Sequence, residues 1–336
     1  MVLLKGDTQA NLTAAEVNAL WTNYLADSMV SIIFKQFMNT CDDKEVLDIL
    51  DYASHLSNQH LRFIEKLFKT EEIAIPVAFG DSDFNKDSQR LFTDQFYLCY
   101  IKDMSKTGLS TYGAFLSGSS RPDIRKYATE CLTTTSKLFN RATDLLLERG
   151  VEVRCPITPY PTMNEWISDT HFLAGWWGEQ RTLTNAEVSD LFVNLLAKNN
   201  IKTLLTGFGQ VAQSPDVKKY IQKGQKLAQK HEEIFSGYLT KSYLQSPVTW
   251  DSGVTTSTTH TFSDRLIMTQ LGLLLQASIA NYGISLSLCQ RRDLSLNYVK
   301  MTSELATFAV DGEKILINNG WMEQPPMAVD RKELME

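Results

Sequence analysis

The sequence predicts an all-α chain made of two tandem four-helix bundles related by internal duplication. Three observations carry that prediction. The stretch Leu12-Thr13-Ala14-Ala15-Glu16-Val17 returns as Leu183-Thr184-Asn185-Ala186-Glu187-Val188, and nine of the fifteen residues from Leu12 to Ala26 repeat at a shift of 171. Apolar residues recur at alternating three- and four-residue steps, the period of a helix with one buried face. Pro (9) and Gly (17) are too scarce in 336 residues for a turn-rich all-β chain.

The duplication runs on past its opening. The same shift superposes Phe37 on Phe208, Leu56 on Leu227, His60 on His231 and Pro76 on Pro247. After one deletion the shift becomes 170 and pairs Phe92 with Phe262, Tyr112-Gly113 with Tyr282-Gly283, Asp123 with Asp293 and Gly150 with Gly320.

Each half reads as four long helices. The first begins at a capping box, Thr13 with Glu16 and Thr184 with Glu187, in which each side chain bonds the other residue's backbone N–H. These helices are expected to run to about Thr40 and Ala212. The second start near Asp43 and Pro215 and carry the apolar stripe Val46, Leu50, Ala53, Leu56, His60, Ile64 and Leu67, repeated from Val217 to Tyr238. Connections containing Pro76 and Pro247 follow. The third helices are expected near Asp87 and Ser263, and the repeated mid-helix glycines Gly113 and Gly283 suggest close helix packing. The fourth begin at Arg121-Pro122-Asp123 and Arg292-Asp293 and end at Gly150 and Gly320 as C-caps. The long connection between the second and third helices is typical of ferritin-like bundles rather than simple up-and-down ones.

This places a first bundle at residues 1–155, an aromatic-rich linker at 156–181 and a second bundle at 182–336. The linker holds Pro159, Pro161, Trp166, Trp176 and Trp177 and is expected to pack against the bundles. The segment from Leu266 to Gln290 has no charged residue and is long enough to span a bilayer. Its copy carries Lys102, Asp103 and Lys106, so the expectation for both is a buried helix and no membrane. A net charge of −6 gives no basic footprint for nucleic acid. Five cysteines without CxxC spacing argue against a disulfide framework or zinc knuckle. With no signal-peptide-like start, a cytoplasmic location is expected.

The chain has five histidines, and His60 and His231 share one position on the buried stripe. A buried imidazole must find a hydrogen-bond partner or bind a metal. A carboxylate-bridged di-metal bundle would supply Glu-x-x-His, which puts both ligands on one helix face. Ser57 and Ala228 stand in the Glu position, so that signature is broken in both halves. A mononuclear transition-metal site of one His and one or two carboxylates is the remaining form. Its candidates are His231, Glu304 and Asp311 in the second half, and His60, Asp103 and Glu130 in the first. Each carboxylate reads first as a solvated or salt-bridged helix residue and only second as a ligand. No G-x-S-x-G, P-loop, G-x-G-x-x-G or H-E-x-x-H assigns an enzyme class.

Several motifs carry a resemblance. Phe172-Leu173-Ala174-Gly175-Trp176-Trp177-Gly178 with Leu183-Thr184 and Glu187-Val188 is similar to the opening of each repeat in the family called domain of unknown function 3231. Lys230-His231-Glu232-Glu233-Ile234-Phe235, Pro247-Val248-Thr249-Trp250-Asp251, Arg291-Arg292-Asp293-Leu294 and Gly320-Trp321-Met322-Glu323-Gln324-Pro325-Pro326 extend it. The family is found mainly in spore-forming bacteria of the Bacillus type, and the resemblance implies tandem ferritin-like bundles with no assigned catalytic residues. The expectation is therefore a non-enzymatic binding or assembly protein linked to stress or sporulation. The alternative is a metal-binding helical protein, for iron or a similar metal, with a degenerate site at His60 or His231. A pocket for a small apolar ligand is a third reading. Self-association and small-molecule partners stay open.

Overall fold

The computed structural model describes residues 10–173, 180–247 and 251–335. Within them, eight α-helices follow one another as two sets of four: α1 (Ala14–Thr40), α2 (Lys44–Thr70), α3 (Asp94–Gly118) and α4 (Pro122–Glu148), then α5 (Asn185–Val211), α6 (Pro215–Lys241), α7 (Asp264–Leu288) and α8 (Arg292–Asn318). The described residues contain no named strand; an isolated antiparallel bridge pairs Phe92 with Val254. The all-α class and the duplication are as the sequence predicts. Helix α3 begins at Asp94 rather than near Asp87, because the preceding residues form extended chain ending in that bridge.

Both expected capping boxes form, with Thr13 and Thr184 each accepting from the backbone N–H three residues on. Glu16 and Glu187 do more than cap. The Glu16 carboxylate also accepts from the Ser120 and Arg121 backbone N–H groups at 2.9 Å, and so ties the start of α1 to the start of α4. Glu187 does the same with Gln290 and Arg291 at 3.2 and 3.0 Å, joining α5 to α8. Burial opposes the charge on both carboxylates, but it is outweighed at Glu16 by the backbone donors and at Glu187 first by the Arg181 guanidinium 2.8 Å away and then by the backbone donors, which hold each at about 2. Arg121 and Arg291 grip Asp123 and Asp293 through two hydrogen bonds each.

The helix ends repeat as faithfully. Gly150 and Gly320 take positive φ just beyond α4 and α8, as C-cap glycines do. After α2 and α6 the left-handed position is filled by Glu72 and Tyr243 instead, at φ 56° and 55°. The bonds Ile73 N–H to Phe68 C=O and Leu244 N–H to Leu239 C=O close a Schellman motif at each.

The chain divides into two compact units. Unit 1 takes the described residues within Met1–Lys86, Tyr97–Leu145 and Asn319–Glu336, and unit 2 those within Asp87–Phe96 and Leu146–Asn318. Unit 2 thus includes Asp87–Phe96 and the stretch from Leu146 onward out of the first copy, and unit 1 includes Asn319–Glu336 out of the second. The core of unit 1 joins Leu20 and Tyr24 of α1, Ile64 and Phe68 of α2, Phe115 of α3 and Ile124 and Cys131 of α4. The core of unit 2 joins Leu191 and Phe192 of α5, Phe235 of α6, Tyr282 of α7, and Tyr298 and Met301 of α8. There α5 packs on α6 and α7, and α8 packs on α6 and α7. Helices α6 and α7 thus lie across a diagonal, which is why residues 242–263 are needed to connect them. Within unit 2 the segment Asp87–Phe96 packs its Phe92 ring against Phe208, 6.3 Å between centroids.

Two expectations are corrected. A side chain added at Gly113 or Gly283 would meet nothing within 4 Å, so these glycines do not mark close helix packing. In the described part of the linker, Trp166 is 96% and Tyr160 85% exposed, so that part is not packed down. Trp176 and Trp177 lie outside the described residues. Helix α7 is long and apolar enough to cross a membrane by length and composition. Its inner face carries Gln270, Ser278, Tyr282 and Ser285, all buried within the chain.

Candidate functional site

The repeated Tyr-Gly pair and the repeated His belong together. Turned inward from α3 and α7, Tyr112 and Tyr282 bring their hydroxyls to the rings of His60 and His231, at 3.1 and 3.0 Å. The buried stripe of α2 and α6 fixes the imidazoles, leaving His60 7% and His231 0% exposed. The duplication therefore preserves a His–Tyr pair in the core of each unit.

The surroundings of the two pairs differ in charge. In unit 1, Asp27 of α1 sits 3.1 Å from His60 Nδ1, a buried ion pair. Burial works against a charged ring, but the Asp27 carboxylate prevails and raises His60 to about 10. The Tyr127 ring of α4 closes over His60 edge to face, at 5.9 Å and 89°. His60 is thus an imidazolium whose counter-ion comes from its own bundle.

In unit 2 the register of Asp27 is taken by Lys198 of α5, which is 3% exposed. Its Nζ donates to Ser278 Oγ at 3.0 Å and stands 5.0 Å from the centroid of the Tyr282 ring. No carboxylate among the described residues pairs with it. Burial alone drives the Lys198 amine down to about 7. His231 is pushed the opposite way from His60: burial lowers it to about 4, the Lys198 charge adds to that, and the bond to Glu304 only partly offsets it. A neutral ring fits the geometry. Tyr282 Oη–H donates to Nδ1, while Nε2–H donates to Glu304 Oε2 of α8 at 3.1 Å. The outer oxygen of Glu304 accepts from Lys230 at 2.6 Å.

Lys198, Ser278 and His231 line a cavity of about 30 Å³ between the four helices of unit 2. The rest of its wall is hydrocarbon, including Leu227, Leu271, Leu275, Leu305 and Phe308. Gly224 belongs to this wall for a steric reason, since a Cβ there would come within 2.9 Å of the Phe308 ring.

Of the sequence candidates, the structure brings together only His231 and Glu304. Asp311 lies on α8 in an ion pair with Lys223. Glu130 is exposed and Asp103 half-buried, and the carboxylate that pairs with His60 is Asp27 instead. Among the described residues no group of three or more His, Cys, Asp or Glu side chains converges to hold a metal ion. At His231 both ring nitrogens and both Glu304 oxygens are already engaged, and the Lys198 amine stands beside them. This set does not fit a resident metal. Lys198 and Asp27 were not picked out as site residues from sequence. The signal was present in the alignment of the copies, where an acid on one inner face is replaced by a base on the other.

Comparison with known proteins gives a consistent family. The profile described as Protein of unknown function (DUF3231) matches residues 4–163 and again 171–334. No curated protein matches the chain. A solved structure from Bacillus halodurans C-125, described as a candidate spore coat protein, is 20% identical, covers 45% of this chain and 98% of its own, and superposes with a TM-score of 0.40.

Proposed function

We propose, for a chain that belongs to the DUF3231 family of proteins of unknown function, that it is a non-enzymatic binding protein whose second unit holds a small ligand in its core. One observation carries the reading. Lys198 is a buried amine without a carboxylate partner among the described residues, and it faces a cavity whose other walls are almost wholly apolar. Desolvating an unpaired charge costs several kcal/mol (roughly), so such a group is retained where a ligand uses it. The first unit supports the reading by contrast, because Asp27 closes the same position with an internal ion pair. The proposed setting, stress or sporulation in Bacillus-type bacteria, rests on the family resemblance of the sequence.

The test is a fragment screen by methyl NMR on the full chain, compared with Ala228→Met, which adds bulk to the cavity wall. Small amphiphilic fragments are expected to shift the Leu271 and Leu275 methyls of the unaltered chain and to lose that effect in the variant. Shifts that persist unchanged in the variant would overturn the reading. So would one equivalent of metal in untagged protein that disappears with His231→Ala.

A further inference from the structure

We propose that the cavity of unit 2 is a halide site, in which one chloride-sized anion accepts from Lys198 and Ser278. The inference rests on the small-ligand reading above and names the chemistry of that ligand. A Lys ammonium has three N–H groups; Ser278 Oγ accepts one of them at 3.0 Å, and the centroid of the Tyr282 ring lies 5.0 Å from Nζ. The Ser278 hydroxyl hydrogen has no acceptor among the described residues, and both side chains line the cavity. His231 contributes no further donor, because Tyr282 and Glu304 occupy both of its nitrogens. The space therefore holds N–H and O–H donors, while no carboxylate or side-chain carbonyl lines it. Waters placed there would bring more hydrogens than the space has acceptors for. A ligand that only accepts, and carries one negative charge, matches this donor pair. In the first copy the same register supplies its own anion, Asp27, which pairs with His60.

Volume and walls select among anions. A cavity of about 30 Å³ has room for about two waters. A single chloride, somewhat larger than one water, fits that room, whereas a sulfate, a phosphate or a carboxylate with a carbon chain overfills it. The further oxygens of an oxyanion would also face leucine and phenylalanine side chains without a donor. A halide is spherical and polarisable, so the part of its surface not turned to Lys198 and Ser278 makes dispersion contacts with the hydrocarbon wall. Fluoride is set apart, because so few donors do not replace its tight hydration shell. Charged groups on the neighbouring helices do not alter this balance. On α6, Lys230 is bound to Glu304 of α8, and Lys202 on α5 is bound to Glu232. Burial keeps His231 and Tyr282 neutral, and α7 has no charged residue from Leu266 to Gln290. The anion therefore meets one net positive group, which is Lys198.

Methyl NMR on the full chain, in a potassium gluconate background of constant ionic strength, tests this with potassium chloride as probe and the fluoride and sulfate salts as controls. Chloride is expected to shift the Leu271 and Leu275 methyls saturably, and the two controls to leave them in place. Lys198→Met should weaken chloride binding at least ~10-fold and Ser278→Ala several-fold, with the remaining methyl signals as dispersed as before. Because the amine must be protonated to hold the anion, chloride affinity of the unaltered chain should fall about 10-fold for each pH unit above about 7. That pH series needs no variant, so it decides the matter even where Lys198→Met does not fold. Equal shifts from chloride and sulfate, no shift from chloride, or a chloride affinity that stays constant above about pH 7 would each overturn the halide site. The small-ligand reading is decided separately, by the fragment screen on Ala228→Met run without halide.

Discussion

Asp27 and Lys198 occupy one register of a duplicated sequence and set opposite charge states on the histidines beside them. The sign of the pH dependence follows. His60 is raised to about 10 from its ordinary 6.5, so its ion pair contributes fully below pH 6.5, and that contribution is lost as pH climbs towards 10. His231 is lowered to about 4, so unit 2 loses stability as pH falls from 6.5 towards 4, where the unfolded ring binds a proton before the folded one does. The substitution Asp27→Asn isolates the first effect. Breaking a buried pair by removing one partner costs about 3 kcal/mol, and without the Asp27 carboxylate to offset burial the His60 ring should titrate well below 10. NMR titration of the ring protons and urea unfolding check both numbers. A ring still protonated at about pH 8 in the variant would contradict the assignment.

At the scale of elements, symmetry in the caps explains the bundles and exposes their weak points. The Glu16 and Glu187 carboxylates each accept from backbone donors at two helix starts, so one carboxylate orients α1 with α4 and another orients α5 with α8. The left-handed positions after α2 and α6 are less well chosen. A non-glycine residue there costs roughly 1–2 kcal/mol, and Tyr243 is 99% exposed, so its ring returns little by packing. Tyr243→Gly is therefore expected to stabilise unit 2 by about 1 kcal/mol, net of the greater freedom of glycine in the unfolded chain. Chemical denaturation would show this as a higher midpoint at unchanged slope. An unchanged or lower midpoint would mean that the exposed ring has a role the cap geometry does not contain.

At the scale of the whole molecule, one chain carries two units with opposed responses to alkali. Raising the pH from about 7 towards 10 removes the His60 contribution from unit 1. Over the same range Lys198, lowered to about 7 from 10.5, gives unit 2 stability, because the unfolded amine there holds a proton that the folded one has shed. Urea unfolding followed at Ile64 and Leu271 methyls should show the unit 1 midpoint falling relative to that of unit 2 as pH rises. Coincident transitions at every pH would show that the units unfold as one. The sequence by itself determined the helical class, the duplication, the capping boxes, the C-cap glycines and the matched buried histidines. These follow from local periodicity, turn chemistry and comparison of the two copies, none of which needs a distant contact. Only the tertiary structure decided that Tyr112 and Tyr282 partner those histidines, that Glu304 joins His231 while Asp311 does not, and that Lys198 faces a cavity. Which helix faces meet across a bundle depends on residues ~30–100 positions apart, and helical periodicity gives the buried face of each helix without saying what lies opposite.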